Sequence, residues 1–271
     1  MKRVISFGDS FTAGLGTDRT EEDRLMNRAK NKDVGRKISG QFRTNNSFTK
    51  FFADEFKSKF KNNGVIGCNN KNILDNLVMY DINHGLTEDD FVLVGFTSSY
   101  RDKLPFFPDA YNDNIKSGFQ WSMKELPLLK ESKDIFFWDS KLDKEDENNL
   151  NKFMIEYLKF YMVEVFDDSY WQIYNSNLIV YIQKYLEFKK VKYIMFDAFE
   201  PMLKDIPKFV NRETYWGCGE QNIYSFLKQF NDESVYENDG HNINKLVSKH
   251  PSRKGHKLFT EELYRFYNEI Y

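Results

Sequence analysis

The chain has 271 residues, a formal net charge of −2 and 17% aromatic residues. A chain of this length can bury one sizeable hydrophobic core, so a single domain over 1–271 is expected. The near-neutral charge argues against a nucleic-acid partner, because domains that bind nucleic acid are usually strongly basic. Cys68 and Cys218 are too few for a disulfide framework, and the histidines are scattered, so neither a metal nor another cofactor is expected.

The first residues predict a cytoplasmic protein. The sequence begins directly with a predicted strand, without a charged leader followed by an apolar segment. No apolar stretch is long enough to cross a bilayer, so no membrane partner is expected either.

An apolar run at 4–7 is short enough to form one buried strand, which stops at Gly8. Asp9, Ser10 and Thr12 follow, and these residue types favour turns and helix starts. A strand holds the following serine rigidly, the turn exposes its oxygen, and nearby backbone N–H groups can face an oxyanion. Ser10 is therefore a candidate nucleophile, and a simple helix-capping role is the alternative.

The next segment, 17–46, is polar and charged, and it predicts a long loop insertion. Such an insertion is either a lid or wall of a site or a disordered segment. After Ser47 the pattern becomes helical, with an aromatic stripe whose spacing indicates core packing rather than a cofactor site. The stripe consists of Phe48, Phe51, Phe52, Phe56 and Phe60.

The apolar pair at 65–66 predicts a second strand that ends at Gly67. A helix is expected to follow, with Asn70 as its cap. A strand, a glycine and a helix N-terminus in that order form a ready site for an anion. His84 lies near the predicted end of this helix and is expected to cap its C-terminus.

Residues 91–94 form the clearest buried strand, because a run that is apolar on both faces suits a central parallel strand. It brings Thr97, Ser98 and Arg101 to the same edge of the sheet as Ser10. These side chains are therefore candidates for contact with a substrate.

The second half of the chain begins with an irregular segment, 102–147, which predicts a further insertion that either shapes substrate access or only decorates the fold. Two aromatic helices over 148–188 would cover one face of the sheet, and excess aromatic surface there could support a homo-oligomer. A strand at 191–196 ends at Asp197, and the last helix begins at about Ser252.

The alternation of strands and helices predicts an α/β fold, in which a central parallel sheet lies between two layers of helices. Ligands of such sheets bind at the carboxyl ends of the strands. Ser10, Gly67, Thr97 and Asp197 all lie at predicted strand ends. The sequence therefore predicts a site at this edge, whatever its chemistry.

Two motifs at opposite ends of the chain resemble the GDSL, or SGNH, hydrolase family. The first is FGDSFTAG at 7–14, which resembles the first block of the family, and the second is HPSRKGH at 250–256, which resembles the last. The segments 67–70 and 95–101 are similar to the corresponding blocks of a divergent, often phage-encoded branch. The resemblance implies a three-layer α/β/α sandwich of the flavodoxin-like type.

The resemblance also implies a serine esterase mechanism. Ser10 would attack an acyl ester, His250 would act as the general base, and the N–H of Gly67 would donate to the oxyanion. Typical family members supply a further donor from an asparagine after the third strand, and this chain has Thr97 at that position.

The missing donor could come from Thr97, Ser98 or Asn70, and the sequence leaves these alternatives open. Asp9 and Arg101 are further candidates for binding the substrate.

The acidic residue that the family pairs with its catalytic histidine is not at its usual position in this chain. The family usually has an aspartate two or three residues before the catalytic histidine, and other residues stand there before His250. If 241–249 is an insertion, Asp239 can lie near His250 in space; a Ser–His dyad is the alternative. His241 is a rival base because it follows Asp239 closely, whereas His256 is expected to pack or cap within the last helix.

Three functions are consistent with these residues. The first is an esterase or deacetylase that acts on a small-molecule or glycan acyl ester. The second is a binding or structural accessory protein that has kept the fold without the chemistry, with association with a virion if the chain is phage-encoded. The third is an acyltransferase whose insertions exclude water.

Overall fold

The structure is a computed structural model, and it describes residues 1–17, 21, 24–25, 29, 32–66, 68–97, 101–103, 120–122, 168–198, 202, 208–236 and 250–271. It divides into two compact units, one comprising Met1–Ser99 with Asn175–Tyr271 and the other Tyr100–Tyr174. The prediction of one domain with insertions is not tested by this division.

Strands and helices both recur along the described part of the chain. The strands are β1 (Arg3–Gly8), β2 (Lys59–Gly64), β3 (Asp90–Phe96), β4 (Arg101–Lys103), β5 (Gln120–Ser122), β6 (Lys192–Asp197) and β7 (Tyr215–Trp216). The helices are α1 (Lys32–Asn45), α2 (Phe48–Glu55), α3 (Asn70–His84), α4 (Asp168–Phe188), α5 (Ile223–Lys228) and α6 (Arg253–Ile270).

Five strands form one sheet in the order β2-β1-β3-β6-β7, and every neighbouring pair is parallel. This order is the flavodoxin-like arrangement, in which the chain starts in the middle of the sheet and winds outward in both directions. The predicted parallel sheet is confirmed. In the second unit, β4 and β5 form an antiparallel pair.

Helices cover both faces of the sheet. On one face, the rings of Phe48 in α2 and Phe259 in α6 lie 5.5 and 5.2 Å from the ring of Phe196 in β6. On the other face, Phe7 of β1 contacts Tyr80 of α3, with ring centroids 5.6 Å apart. The predicted three-layer α/β/α sandwich is therefore confirmed. None of the helices that the structure describes has the length and apolar character needed to cross a membrane.

The prediction of a loop throughout 17–46 is wrong, because α1 lies within that segment. Its most buried positions are Gly35 and Ser39. A helix whose inner face carries small residues lacks the apolar periodicity by which helices are found in a sequence.

The second strand also lies earlier than predicted. The helix after Ser47 ends at Glu55, and Phe60 belongs to β2, which ends before the apolar pair at 65–66. This strand is at the edge of the sheet and is only partly buried, so it needs no apolar run.

The boundaries of the following helix differ by one residue. The N-cap of α3 is Asn69, whose side chain accepts a hydrogen bond from the backbone N–H of Asn72, and Asn70 is the first helical residue. The helix ends at His84, as predicted. The predicted helix that reaches residue 188 is confirmed by α4, whereas the helix predicted from residue 148 begins outside the described residues.

Candidate active site

Ser10 lies in a tight turn directly after β1, and we call residues 9–17 the nucleophile turn. The Asp9 carboxylate accepts a hydrogen bond from the backbone N–H of Phe11 at 2.9 Å. The backbone N–H of Leu15 donates to the carbonyl oxygen of Ser10 at 3.0 Å. These bonds fix the backbone on both sides of Ser10, whose surface is 3% exposed.

The structure brings Ser10 and His250 into direct contact. The Oγ atom of Ser10 and the Nε2 atom of His250 are 2.9 Å apart, although the two residues are 240 positions apart in the chain. The ring of His250 also lies against the ring of Phe11, with centroids at 5.2 Å. A serine hydroxyl within hydrogen-bond reach of an imidazole is the arrangement that a general base requires.

The backbone around His250 is held by the segment 234–236. Pro251 forms an isolated bridge with Tyr236, and the backbone N–H of Ser252 donates to the carbonyl oxygen of Val235 at 2.9 Å. The side chain of Ser252 then caps α6. The imidazole is therefore carried on a backbone that is fixed at the two residues that follow it.

The end of the nucleophile turn packs directly on residues 250–253, which we call the histidine loop. The carbonyl oxygen of Thr17 accepts a hydrogen bond from the backbone N–H of Arg253 at 3.0 Å. Gly16 has a φ of +92°, and a Cβ atom placed on it would lie 2.6 Å from the Cβ atom of His250. Only glycine fits here, because both the backbone angle and the space exclude a side chain.

His256 has a structural role. Its Nδ1 atom accepts a hydrogen bond from the backbone N–H of Phe48 at 3.3 Å, and the two rings are stacked. The ring therefore satisfies the first N–H of α2, as predicted for a packing or capping residue. Burial, assisted by the nearby His250, lowers the pKa of His256 to about 3, which keeps the ring neutral.

Asn70 and Thr97 are joined by a pair of hydrogen bonds. The backbone N–H of Thr97 donates to Oδ1 of Asn70 at 2.9 Å, and Nδ2 of Asn70 donates to the carbonyl oxygen of Thr97 at 3.2 Å. Both residues are buried. The Thr97 hydroxyl has no hydrogen-bond partner within the described ranges, so the Asn70 amide is the better-held of the two polar groups.

Several predicted site residues lie outside the described residues: Gly67, Ser98, Asp239 and His241. Arg101 is the first residue of β4 and belongs to the second unit. The roles predicted for these residues in the site stay predictions.

Asp197 ends β6, beside Phe96 in the register of the sheet. It is fully buried, and the hydroxyl of Tyr215 donates to its Oδ1 atom at 2.7 Å. Burial raises the pKa of Asp197 to about 7, although the hydrogen bonds from Tyr215 and from the backbone of Met202 act in the opposite direction.

No group of three His, Cys, Asp or Glu side chains that could hold a metal ion is found in the part of the chain that the structure describes. The buried thiol of Cys68 donates a hydrogen bond to the carbonyl oxygen of Gly8, the last residue of β1, at 3.3 Å. Cys218 is half-buried in the turn after β7.

Three residues that hold the site together were not predicted from the sequence. Gly16 and Thr17 contact the histidine loop, and the Asn62 side chain donates to the backbone carbonyl of Thr12 at 2.6 Å. The Asn63-Gly64 pair is a turn signal that could have marked the end of β2 next to Asn62. Nothing local marks the contacts with Thr12 or His250, because they join distant parts of the chain.

Comparison with known proteins gives similarity only among solved structures. No protein-family model and no curated protein matches the sequence. A protein named for the lipolytic G-D-S-L family from Desulfitobacterium hafniense DCB-2 has 13% identity and a TM-score of 0.35, with 98% of this chain and 99% of that chain covered. A member of the lipolytic protein G-D-S-L family from Veillonella parvula DSM 2008 has 9% identity and a TM-score of 0.37, with both chains fully covered.

Proposed function

We propose that this protein is a serine hydrolase that cleaves carboxylic esters, with Ser10 as the nucleophile and His250 as the general base. The observation that carries the proposal is the 2.9 Å contact between Ser10 Oγ and His250 Nε2 at the carboxyl end of β1, an interior strand of the sheet. Ligands of parallel sheets bind at this edge. A serine that is held in a fixed turn beside an imidazole has the two parts that acyl transfer needs.

The first half of the reaction would form an acyl-enzyme. His250 Nε2 accepts the proton of the Ser10 hydroxyl while Oγ attacks the carbonyl carbon of the ester. The negative charge moves to the carbonyl oxygen. The tetrahedral intermediate then collapses, the C–O bond to the alcohol breaks, and His250 gives its proton to the leaving oxygen.

The second half would release the acid. A water molecule loses a proton to His250 and attacks the acyl carbon, and the bond to Ser10 Oγ breaks as that oxygen regains the proton. The ester and one water are converted to an acid and an alcohol, so the enzyme returns to its starting state.

Stabilisation of the oxyanion is assigned to the backbone N–H of Ser10 and to Asn70, together with the predicted contribution of Gly67. Oxyanion donors act because they are oriented before the reaction. The Asn70 amide meets this requirement through its two hydrogen bonds with the backbone of Thr97. Asp239 remains the proposed acid beside His250.

A fluorophosphonate probe, which reacts with activated serines, tests the proposal. Ser10 is expected to be the only labelled serine, and Ser10→Ala should abolish labelling. With p-nitrophenyl acetate as the substrate, Ser10→Ala and His250→Ala should each lower kcat by roughly 10⁴-fold, because nucleophile and base act as one unit. His241→Ala is the matched control and should keep most of the activity.

The other outcomes separate the alternatives. Labelling that survives Ser10→Ala would remove the nucleophile assignment. An inactive His241→Ala beside an active His250→Ala would show that the base is the other histidine. A silent Asp239→Asn beside an inactive His250→Ala would indicate a dyad. A wild-type protein that is neither labelled nor active would favour a binding or structural role.

A further inference from the structure

Two carbonyl groups of the nucleophile turn accept hydrogen bonds from residues outside it: that of Thr17, from Arg253, and that of Thr12. Ala13 and Leu15 donate their backbone N–H groups to the carbonyl oxygens of Asp9 and Ser10, so these bonds stay within the turn. The carbonyl oxygen of Thr12 instead accepts a hydrogen bond from Nδ2 of Asn62 at 2.6 Å. This bond joins the turn to β2, the neighbouring edge strand.

The Asn62 side chain is fixed by two further contacts. Its Oδ1 atom accepts a hydrogen bond from the backbone N–H of Gly64 at 2.8 Å. Its Nδ2 atom also lies 3.1 Å from the hydroxyl oxygen of Ser47, which itself donates to the carbonyl oxygen of Thr44 at 2.8 Å. An amide that is engaged at both ends has one orientation, and so it can hold the Thr12 carbonyl at one position.

These contacts connect the nucleophile turn to the framework of the base. Ser47 is fully buried and directly precedes α2. The first N–H of α2, from Phe48, donates to His256 in α6, the helix that follows His250. The hydrogen bond from Asn62 thus ties the turn that carries Ser10 to a junction that also contacts the helix next to the base.

We infer that Asn62 is a positioning residue, which holds the nucleophile turn in the position at which Ser10 contacts His250. The inference rests on the proposed function, because it assigns to Asn62 a role in the same chemistry. Without the amide, the Thr12 carbonyl loses its bond to β2 and the turn can shift. A misplacement of about 1 Å can lower the rate of a reaction by about 100-fold.

Asn63, the next residue of the strand, provides a matched control. Its Nδ2 atom has no hydrogen-bond partner among the described residues. Asn62→Ala and Asn63→Ala therefore remove the same atoms from adjacent positions, but only the first breaks a bond to the nucleophile turn. Asn62→Asp is a second test variant, because it keeps the shape of Asn62 and places an oxygen against the Thr12 carbonyl.

Two measurements separate this role from a general loss of stability. The first is the rate constant for labelling of Ser10 by a fluorophosphonate, together with kcat and KM for p-nitrophenyl acetate. We expect Asn62→Ala and Asn62→Asp to lower the labelling rate and kcat by about 10- to 100-fold with little change in KM. Asn63→Ala should stay within about twofold of the wild type.

The second measurement is hydrogen–deuterium exchange of the peptide that covers 9–17, which needs no activity. Protection should fall in both Asn62 variants and stay unchanged in Asn63→Ala. Unchanged exchange and labelling in the Asn62 variants would overturn the inference, and so would equal losses in Asn63→Ala. If the wild type is not labelled, the proposed function fails, and unchanged exchange would then refute the inference separately.

Discussion

The pKa of Asp197 leads to a prediction about stability and pH. The ordinary pKa of an aspartate is 3.8, and burial raises that of Asp197 to about 7 in the folded protein. Between these values the unfolded chain has released the proton while the folded protein keeps it. The folded state therefore binds more protons, and the free energy of unfolding decreases as the pH rises.

The size of the effect follows from the difference between the two pKa values. Each unit corresponds to about 1.4 kcal/mol, so the loss of stability grows to about 4 kcal/mol above pH 7. Asp197→Asn cannot ionise, and its amide oxygen can still accept the hydrogen bond from Tyr215. The variant should therefore lack this decrease, and its stability relative to the wild type should rise steadily from about pH 4 to about pH 8.

Urea unfolding, followed by circular dichroism at several pH values, measures this difference. A constant offset between the two proteins can arise from the altered contact with the Met202 backbone, so the slope with pH is the diagnostic quantity. Parallel curves for wild type and Asp197→Asn would refute the argument that Asp197 is protonated by burial.

Asp90 provides a control of opposite sign. It is also a buried aspartate of the sheet, but the hydrogen bonds from Arg3 and Thr87 outweigh the effect of burial and lower its pKa. Its carboxylate therefore stabilises the folded state above its ordinary pKa, and that stabilisation is lost as the pH falls. Asp90→Asn should lose stability relative to the wild type as the pH rises through about 4.

Three further predictions concern the residues around the site. Burial lowers the pKa of His256 from 6.5 to about 3, so between these pH values the unfolded chain binds a proton that the folded protein does not bind. The free energy of unfolding should therefore decrease by about 1.4 kcal/mol for each unit by which the pH falls within this range. His256→Gln should show a shallower decline in acid unfolding, and an equal decline would contradict the buried neutral ring. Asn70→Asp keeps the acceptor for the Thr97 N–H but lacks the N–H donor of the amide, so kcat should fall about 10²- to 10³-fold. The control Asn69→Asp keeps the N-cap of α3 and should change kcat little. Equal effects of the two substitutions would remove Asn70 from the oxyanion site. Gly16→Ala should lower kcat at least about tenfold, because its Cβ atom would collide with His250. The control position Gly85 also has a positive φ, +69°, but has nothing within 4 Å, so Gly85→Ala should only lower the free energy of unfolding, by about 1–2 kcal/mol. A Gly16→Ala variant with normal activity would show that the histidine loop can move away.

The sequence by itself determined the buried strands and the two residues proposed for catalysis. A central parallel strand is covered on both faces, so it must be a continuous apolar run, and β1, β3 and β6 could be found in this way. Ser10 and His250 lie in short motifs that can be recognised from a few consecutive residues.

The tertiary structure alone decided β2, α1 and β7. The edge strand β2 is half-exposed, α1 turns small residues inward, and β7 has only two residues, so none of them carries a clear apolar period.

The tertiary structure also decided how the candidate site is held. The contact of Ser10 with His250 joins residues 240 positions apart, and the bond from Asn62 to Thr12 joins β2 to the nucleophile turn. The pKa of Asp197 depends on complete burial, which is a property of the packed sheet. Sequence patterns act over a few neighbouring residues, whereas distances, burial and electrostatic surroundings arise only when the chain is folded.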